Sequence, residues 1–470
     1  MDPITRRVFL MSSSIAAAGI AGLHSTLAQG AGLLIDPAGD RAWAGYGPLL
    51  EDPDGILDLP AGFSYHIISP MGVTMDDGLI VPGKHDGMAA FPYINDDGSI
   101  DPDRCVLVRN HEVADYHRVP SAFGSRNERL GLVDPTKIYD AGHGKPLRGG
   151  CTTLVYNLKD GKLERHWLSL AGTMHNCSGG PTPWGSWISC EEAMYTKSDR
   201  FEQDHGYCFE VPATTSQSMA DPKPILGMGR FLHEGACVDP RTGIVYQTED
   251  RDDGLLYRFV PSSKPKAVGD LHKGGKLQAL RVIGRNVLDT RNHAADLIRV
   301  GEPVLCGWVT LDGIDAPDDD LRHRGFESGA ARFARGEGMW WGTQTKGTKN
   351  SAYFACSNGG RVGAGQVWKL TPGENGDWLE LVSEPNDPAV LENPDNVVIS
   401  PIGDVLVCED GPPPQSMIGI TPSGSLYPLA KNAYNGSELT GVCFSPDEST
   451  MFVNMQGSGW TIVVTGPWKR

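Results

Sequence analysis

The chain has no C-x-x-C pair among its ten cysteines, which excludes zinc-ribbon and dithiol redox motifs. It has no uninterrupted run of about 20 strongly apolar residues, the length a membrane-spanning helix needs. No convincing amphipathic helix exceeds about three turns. With 59 Gly and 34 Pro, turns take the place of long helices. Positive charge is scarce: 41 Lys and Arg face 58 Asp and Glu, a formal charge of −17. That balance argues against nucleic acid or an anionic membrane surface as the main partner. An anionic substrate then needs a place where cations or arginines reverse the local field. No serine-nucleophile motif stands out.

What the chain does have is one phrase repeated six times, a short apolar strand that ends in a polar or acidic cluster. The copies are DRCVLVRNHE (103–112), GSWISCEE (185–192), GIVYQTED (243–250), SAYFACSN (351–358), GDVLVCED (403–410) and STMFVNMQ (449–456). Several follow a tight-turn phrase, as in VDPRTG, ISPIGD and FSPDES. Repeats of turn, strand and polar terminus at such periods are the signature of a β-propeller. The expected fold is all-β, a six-bladed propeller with insertions between blades, formed by residues 30–470 as one domain. Inner strands line the channel of a propeller, so the six polar ends are expected to converge on one axis.

The stretch 172–192 concentrates this chemistry. NCSGGPTPWG reads as a Gly/Pro loop, and SWISC as a strand that delivers Glu191 and Glu192. Cys177 is set in the loop, whereas Cys105, Cys190, Cys356, Cys408 and Cys443 lie in or beside strand phrases and read as small buried apolar residues. Cys177 is therefore the one ligand candidate among the thiols. His85 and Asp86 precede an apolar run, and His233 and Glu234 lie between apolar residues. Arg335 and Glu337 sit beside aromatic bulk, where the planar fork of arginine suits a phosphate. Asp395 and Asn396 are hard oxygen donors that suit calcium. At the N-terminus, Arg6-Arg7 followed by Val8-Phe9-Leu10, a small apolar stretch and Leu27-Ala28-Gln29 has the form of a twin-arginine export signal over 1–29. A soluble protein, periplasmic or secreted and exported folded by the twin-arginine machinery, is the expectation.

The phrases HDGMAAF, NHE, HNCSGGPTPWGSWISCEE, GRFLHEGACVDPRTGIVYQTEDR, LYRFVP, RGEGMWWG, NPDNVVISPIGD and CEDG together resemble the PhoX-type alkaline phosphatases, from about residue 50 to the C-terminus. The resemblance implies iron and calcium at the channel mouth, a cysteine among the iron ligands, and hydrolysis of phosphate monoesters. It implies Cys177 as the iron-binding cysteine, Glu234 and Glu337 as metal ligands, and Arg335 as the substrate-binding arginine. Glu112, Glu249, Asn396 and Asp410 sit in motifs of the family and are carried over as further metal ligands. The chain departs from the pattern at Gly336, where proline is expected, and in its shorter length, so insertions around the mouth are expected to be missing. The alternatives are a calcium-dependent lactonase or esterase using Glu112, Asn396 and Asp410 without Cys177, and a non-catalytic binding propeller braced by its metals.

Overall fold

The computed structural model describes residues 33–35, 41–43, 45–343, 348 and 350–468. The expected export signal lies outside them. The regular structure of the described residues is almost entirely antiparallel strand, with one short α-helix, Leu321–Glu327, and a few 3-10 turns. None of the described helices is long and apolar enough to cross a membrane.

Local chemistry sets the hairpins. In FSPDES, Asp447 accepts hydrogen bonds from Ser445 Oγ at 2.6 Å and from the Ser449 amide at 3.1 Å. The following strands, Thr450–Met455 and Trp460–Thr465, are rich in the branched and aromatic residues that suit a pleated, buried surface. ISPIGD turns in a related way, closing through the Gly403 amide on the Ser400 carbonyl at 3.0 Å.

The meanders follow chain order. His85–Ile94, Ile100–His111, Gly149–Asn157 and Lys162–Thr173 make a four-stranded sheet, and Asn176–Pro181, Ser186–Glu191 and Cys208–Pro212 a three-stranded one. Next comes a ten-stranded sheet, in which the meander opening with His233–Val238 joins the one opening with Gly336–Gly342 through the outer strands Pro303–Thr310 and Asp377–Ser383. The last two sheets borrow strands from the N-terminal part of the chain. Leu57–Pro60 completes the Pro394–Ile399 sheet, and Ser64–Ile68 the Leu439–Phe444 sheet. The arrangement is all-β and propeller-like. The expected six blades are not six sheets here, because two meanders pair their outer edges and so cover backbone groups that would otherwise stay open.

The six opening strands, His85–Ile94, Asn176–Pro181, His233–Val238, Gly336–Gly342, Pro394–Ile399 and Leu439–Phe444, touch one another in a closed ring. Contact this close needs residues without side chains. Gly87, Gly180, Gly235, Gly338 and Gly441 stand at successive seams, and a Cβ on Gly180 would lie 1.8 Å from the Ala236 carbonyl oxygen. Asn396 holds the remaining seam, where its Oδ1 accepts from the Gly441 amide at 2.5 Å. Hydrophobic clusters fill the spaces between neighbouring meanders, and Trp340 packs against four of them.

Candidate metal centre

One register recurs at all six places. The last residue of each second strand pairs with the first of its opening strand: His111 with His85, Glu191 with Asn176, Glu249 with His233, Cys356 with Gly336, Glu409 with Pro394 and Met455 with Leu439. The residue just beyond that last pair turns inward. Glu112, Glu192, Asp250, Ser357, Asp410 and Gln456 all line a single cavity of about 240 Å³. Thus every one of the six repeated strand phrases contributes a side chain to it.

A second set comes from the opening strands. In five of them a register shift follows the first pair, and a bulge of this kind re-aims the next side chain. That residue is Asp86, Cys177, Glu234, Glu337 or Asp395, and each lines the cavity. In the sixth the shift comes one residue later. Thr440 stays in the sheet, and Glu438 takes the cavity position. NCSGGP is accordingly an opening strand, which corrects the loop reading of Cys177: its glycines allow close packing and do not mark a loop.

Three cationic residues stand two positions before these side chains, each in the left-handed region: Lys84 at φ 50°, His175 at 51° and Arg335 at 52°. Such backbone is uncommon outside glycine and clusters at functional sites. Lys84 pairs with Glu112 at 3.3 Å. His175 bridges Glu112 at 3.0 Å and Glu192 at 3.2 Å. Arg335 forks onto Asp250 and reaches Glu337 at 3.5 Å.

Two of the expected ligands are elsewhere. Glu249 points into its own sheet, accepting from Tyr257 Oη at 2.8 Å and the Leu255 amide at 3.1 Å. Asn396 donates to Asp395 at 2.8 Å and accepts from Gly441, so its amide is spent on the seam. In both cases the neighbour, Asp250 or Asp395, faces the cavity. Cys177, Glu234, Glu337, Glu112, Asp410 and Arg335 line it. Asp395, read as a hard oxygen donor, lines it too, and Asp86, His175, Glu192, Asp250, Ser357, Glu438 and Gln456 complete the wall without having been named as ligands. The phrases HDG, HEG, GEG and PDN, each an acid beside a seam residue and before an apolar run, were the signal for Asp86 and Asp395. Glu438 carries none.

Nine carboxylates line this wall against His175 and Arg335. Burial pushes the Asp86, Glu234, Glu337, Asp395 and Glu438 carboxyls well above their usual range, and neighbouring carboxylates push further. Burial also lifts Glu192 up to about 7, with the His175 hydrogen bond pulling the other way. The Cys177 thiol is raised by burial first and then by Glu234 and Glu192. Burial alone would lower His175, but Glu192 and Glu112 hold it above its ordinary value.

Such a cavity fits cations. Ligand atoms of Cys177, Glu192 and Glu234 lie within 4.8 Å of one another, as do those of Glu234, Glu337 and Asp395, and those of Glu112, His175 and Glu192. The sets share members, so the donors run unbroken around the wall. Asp86 Oδ1 is buried with no hydrogen-bond partner among the described residues, which is costly unless something positive faces it. The other nine thiols are also buried and free, but Cys177 alone lines the cavity.

Among solved structures, Pseudomonas fluorescens PhoX in complex with vanadate, a transition state analogue, shares the fold at a TM-score of 0.62 and 17% identity, covering 88% of this chain and 96% of that one. A gluconolactonase from Xanthomonas campestris matches at a TM-score of 0.41 and 11% identity, covering 90% and 98%. No curated protein matches in sequence. The family model for alkaline phosphatase PhoX matches residues 44–459, and the chain belongs to that family.

Proposed function

We propose that this protein is an exported phosphate monoester hydrolase that works with iron and calcium on the cavity wall. The same reading counts the two meanders of the ten-stranded sheet as separate blades, making six. The ring of six opening strands and their common register support that count. The observation that carries the function is Cys177 within ligand reach of Glu192 and Glu234, with Arg335 on the same wall. A soft thiolate beside carboxylates suits iron, whereas the oxygen set of Glu234, Glu337 and Asp395 suits calcium.

When bound, the ions supply positive charge for the ester and activation of an oxygen nucleophile. The chain's own residues do the rest. Asp250 fixes the plane of the Arg335 guanidinium, which offers paired donors to the phosphoryl oxygens. Lys84 and His175 offset Glu112 and Glu192, lowering the repulsion that a phosphate dianion would meet at the wall. Trp340, packed among four hydrophobic clusters, adds apolar bulk to the ring of opening strands. Export rests on the Arg6-Arg7 signal alone, and places the protein in the periplasm or outside the cell.

The test is elemental analysis of protein purified without chelator from iron-replete cells, paired with a phosphatase assay. Iron with calcium and activity supports the reading. Calcium alone points to an oxygen-ligand lactonase or esterase, and no tightly held metal to a binding propeller.

A further inference from the structure

Beside the acidic cavity lies a second one of about 820 Å³, whose lining includes Tyr116, His117, Arg118, Arg129 and Arg148. The two adjoin where Tyr116 and His117 meet His175. Tyr116 Oη is 3.3 Å from Nε2 of His175, which lines the acidic cavity. Tyr116 is 71% exposed. Its ring meets that of His117 at 4.5 Å between centroids, and His117 in turn stacks on His175 at 6.0 Å and 17°. His117 and His175 lie face to face, and Tyr116 stands edge-on to His117 at 67°, so aromatic surface runs from one cavity to the other.

The second cavity is charged in the opposite sense. Its carboxylates are Asp115, held in a two-pronged ion pair by Arg200, and Glu128, which accepts from the Arg126 amide at 2.8 Å. Arg129 is held by the Gly78 carbonyl at 2.5 Å, and Arg148 by the carbonyls of His117 and Val119. Neither these two guanidiniums nor that of Arg118 enters an ion pair among the described residues. Three arginines outside any close ion pair, with Asp115 acting on Arg148 only at longer range and already paired with Arg200, form a place where an anion is favoured in a chain of net charge −17.

We infer that this second cavity is a leaving-group subsite, taking phosphate monoesters whose leaving group is planar and ends in a second anionic group. The phosphoryl group would lie against the acidic wall and its ions. The ring would rest on Tyr116 and His117, and the far anion would meet Arg118, Arg129 and Arg148. The inference rests on the phosphatase reading for its first half and on the arginines for its second.

A matched pair of esters separates the two halves: phenyl phosphate and para-carboxyphenyl phosphate. In the metal-loaded protein, Arg118→Gln should lower the ratio of kcat/KM for the carboxylated ester over the plain one by about tenfold, the size of one charge-assisted hydrogen bond. Arg118 is exposed, so the variant should fold. An unchanged ratio overturns the subsite. If neither ester is hydrolysed, the phosphatase reading fails, and the subsite is then judged from calorimetric binding of the uncleavable phenylphosphonate and para-carboxyphenylphosphonate. Tighter binding of the carboxylated phosphonate, lost in Arg118→Gln, supports it. Equal affinities in the wild-type protein, or an equal loss for both ligands in the variant, overturn it.

Discussion

Arg335 and Asp250 meet through two parallel hydrogen bonds, Nε to Oδ1 at 2.8 Å and Nη2 to Oδ2 at 2.7 Å. Arg335 belongs to the turn before one opening strand, and Asp250 follows the second strand of the preceding meander, so the pair ties neighbouring meanders together at the cavity. Lysine cannot reproduce the fork. Arg335→Lys should therefore lower kcat/KM for phenyl phosphate by about 100-fold, roughly 2.7 kcal/mol, with little change in bound metal. Elemental analysis beside the kinetics checks this. Unchanged kinetics would reduce the pair to a structural tie.

Cys177→Ser keeps nearly the same shape but offers a harder and far less acidic donor. Iron content should drop and the visible charge-transfer band of a ferric thiolate should vanish. Phosphatase activity should fall with the iron by on the order of 10²-fold, about 3 kcal/mol. Absorbance spectra and iron analysis read both effects. A colourless, iron-free wild-type protein would remove Cys177 from the ligand set.

Glu249 and Asp395 should respond in opposite ways. Glu249→Gln weakens a buried acceptor of Tyr257 and Leu255, and should cost about 1–2 kcal/mol of stability while metal per chain stays constant. Asp395→Asn removes a carboxyl that burial and Asp410 already push up. It should lower calcium content and leave the metal-free protein as stable or more so. Chemical denaturation with and without chelator separates the two. Loss of metal in Glu249→Gln would restore Glu249 as a ligand.

His205 predicts a pH limit. Its ring lies between Glu191, 2.7 Å from Nδ1, and Asp140, 3.1 Å from Nε2, with all three side chains fully buried. Burial alone would lower its pKa, yet Glu191 and Asp140 raise it from 6.5 to about 9. A pKa raised on folding gives stability that is complete below 6.5 and lost as pH rises through about 9. The contribution is at most about 3 kcal/mol. Asp140, held down at about 2 despite burial by His205 and backbone amides, acts at the other end. Its share is present above 3.8 and disappears as pH falls through about 2. Wild-type Tm should decline between neutral pH and pH of about 10 more steeply than that of His205→Gln. Parallel profiles would mean that His205 is neutral in the folded state.

The six repeated strand phrases and the turn chemistry between them were legible in the sequence, whereas the strand that carries Cys177 read as a loop. Each is local: branched and aromatic residues favour strands, Asp and Gly close turns, and an acidic strand end is visible wherever it falls. Hence the all-β class and the convergence of NHE, CEE, TED, CSN, CED and NMQ followed from the residues alone, and each phrase does place one side chain at the cavity. Which of two adjacent residues faces inward was decided only by the tertiary structure. Glu249 and Asp250 look alike in a string, as do Asp395 and Asn396, but successive side chains on a strand point to opposite faces. The inward face depends on where pairing stops and where the opening strand bulges. That stop is set by a partner strand, and the bulge by seam packing against the next meander around Gly235, Gly338 and Gly441. His175 and Glu438 reach the wall by the same route, through neighbours far away in the chain whose approach no local pattern records.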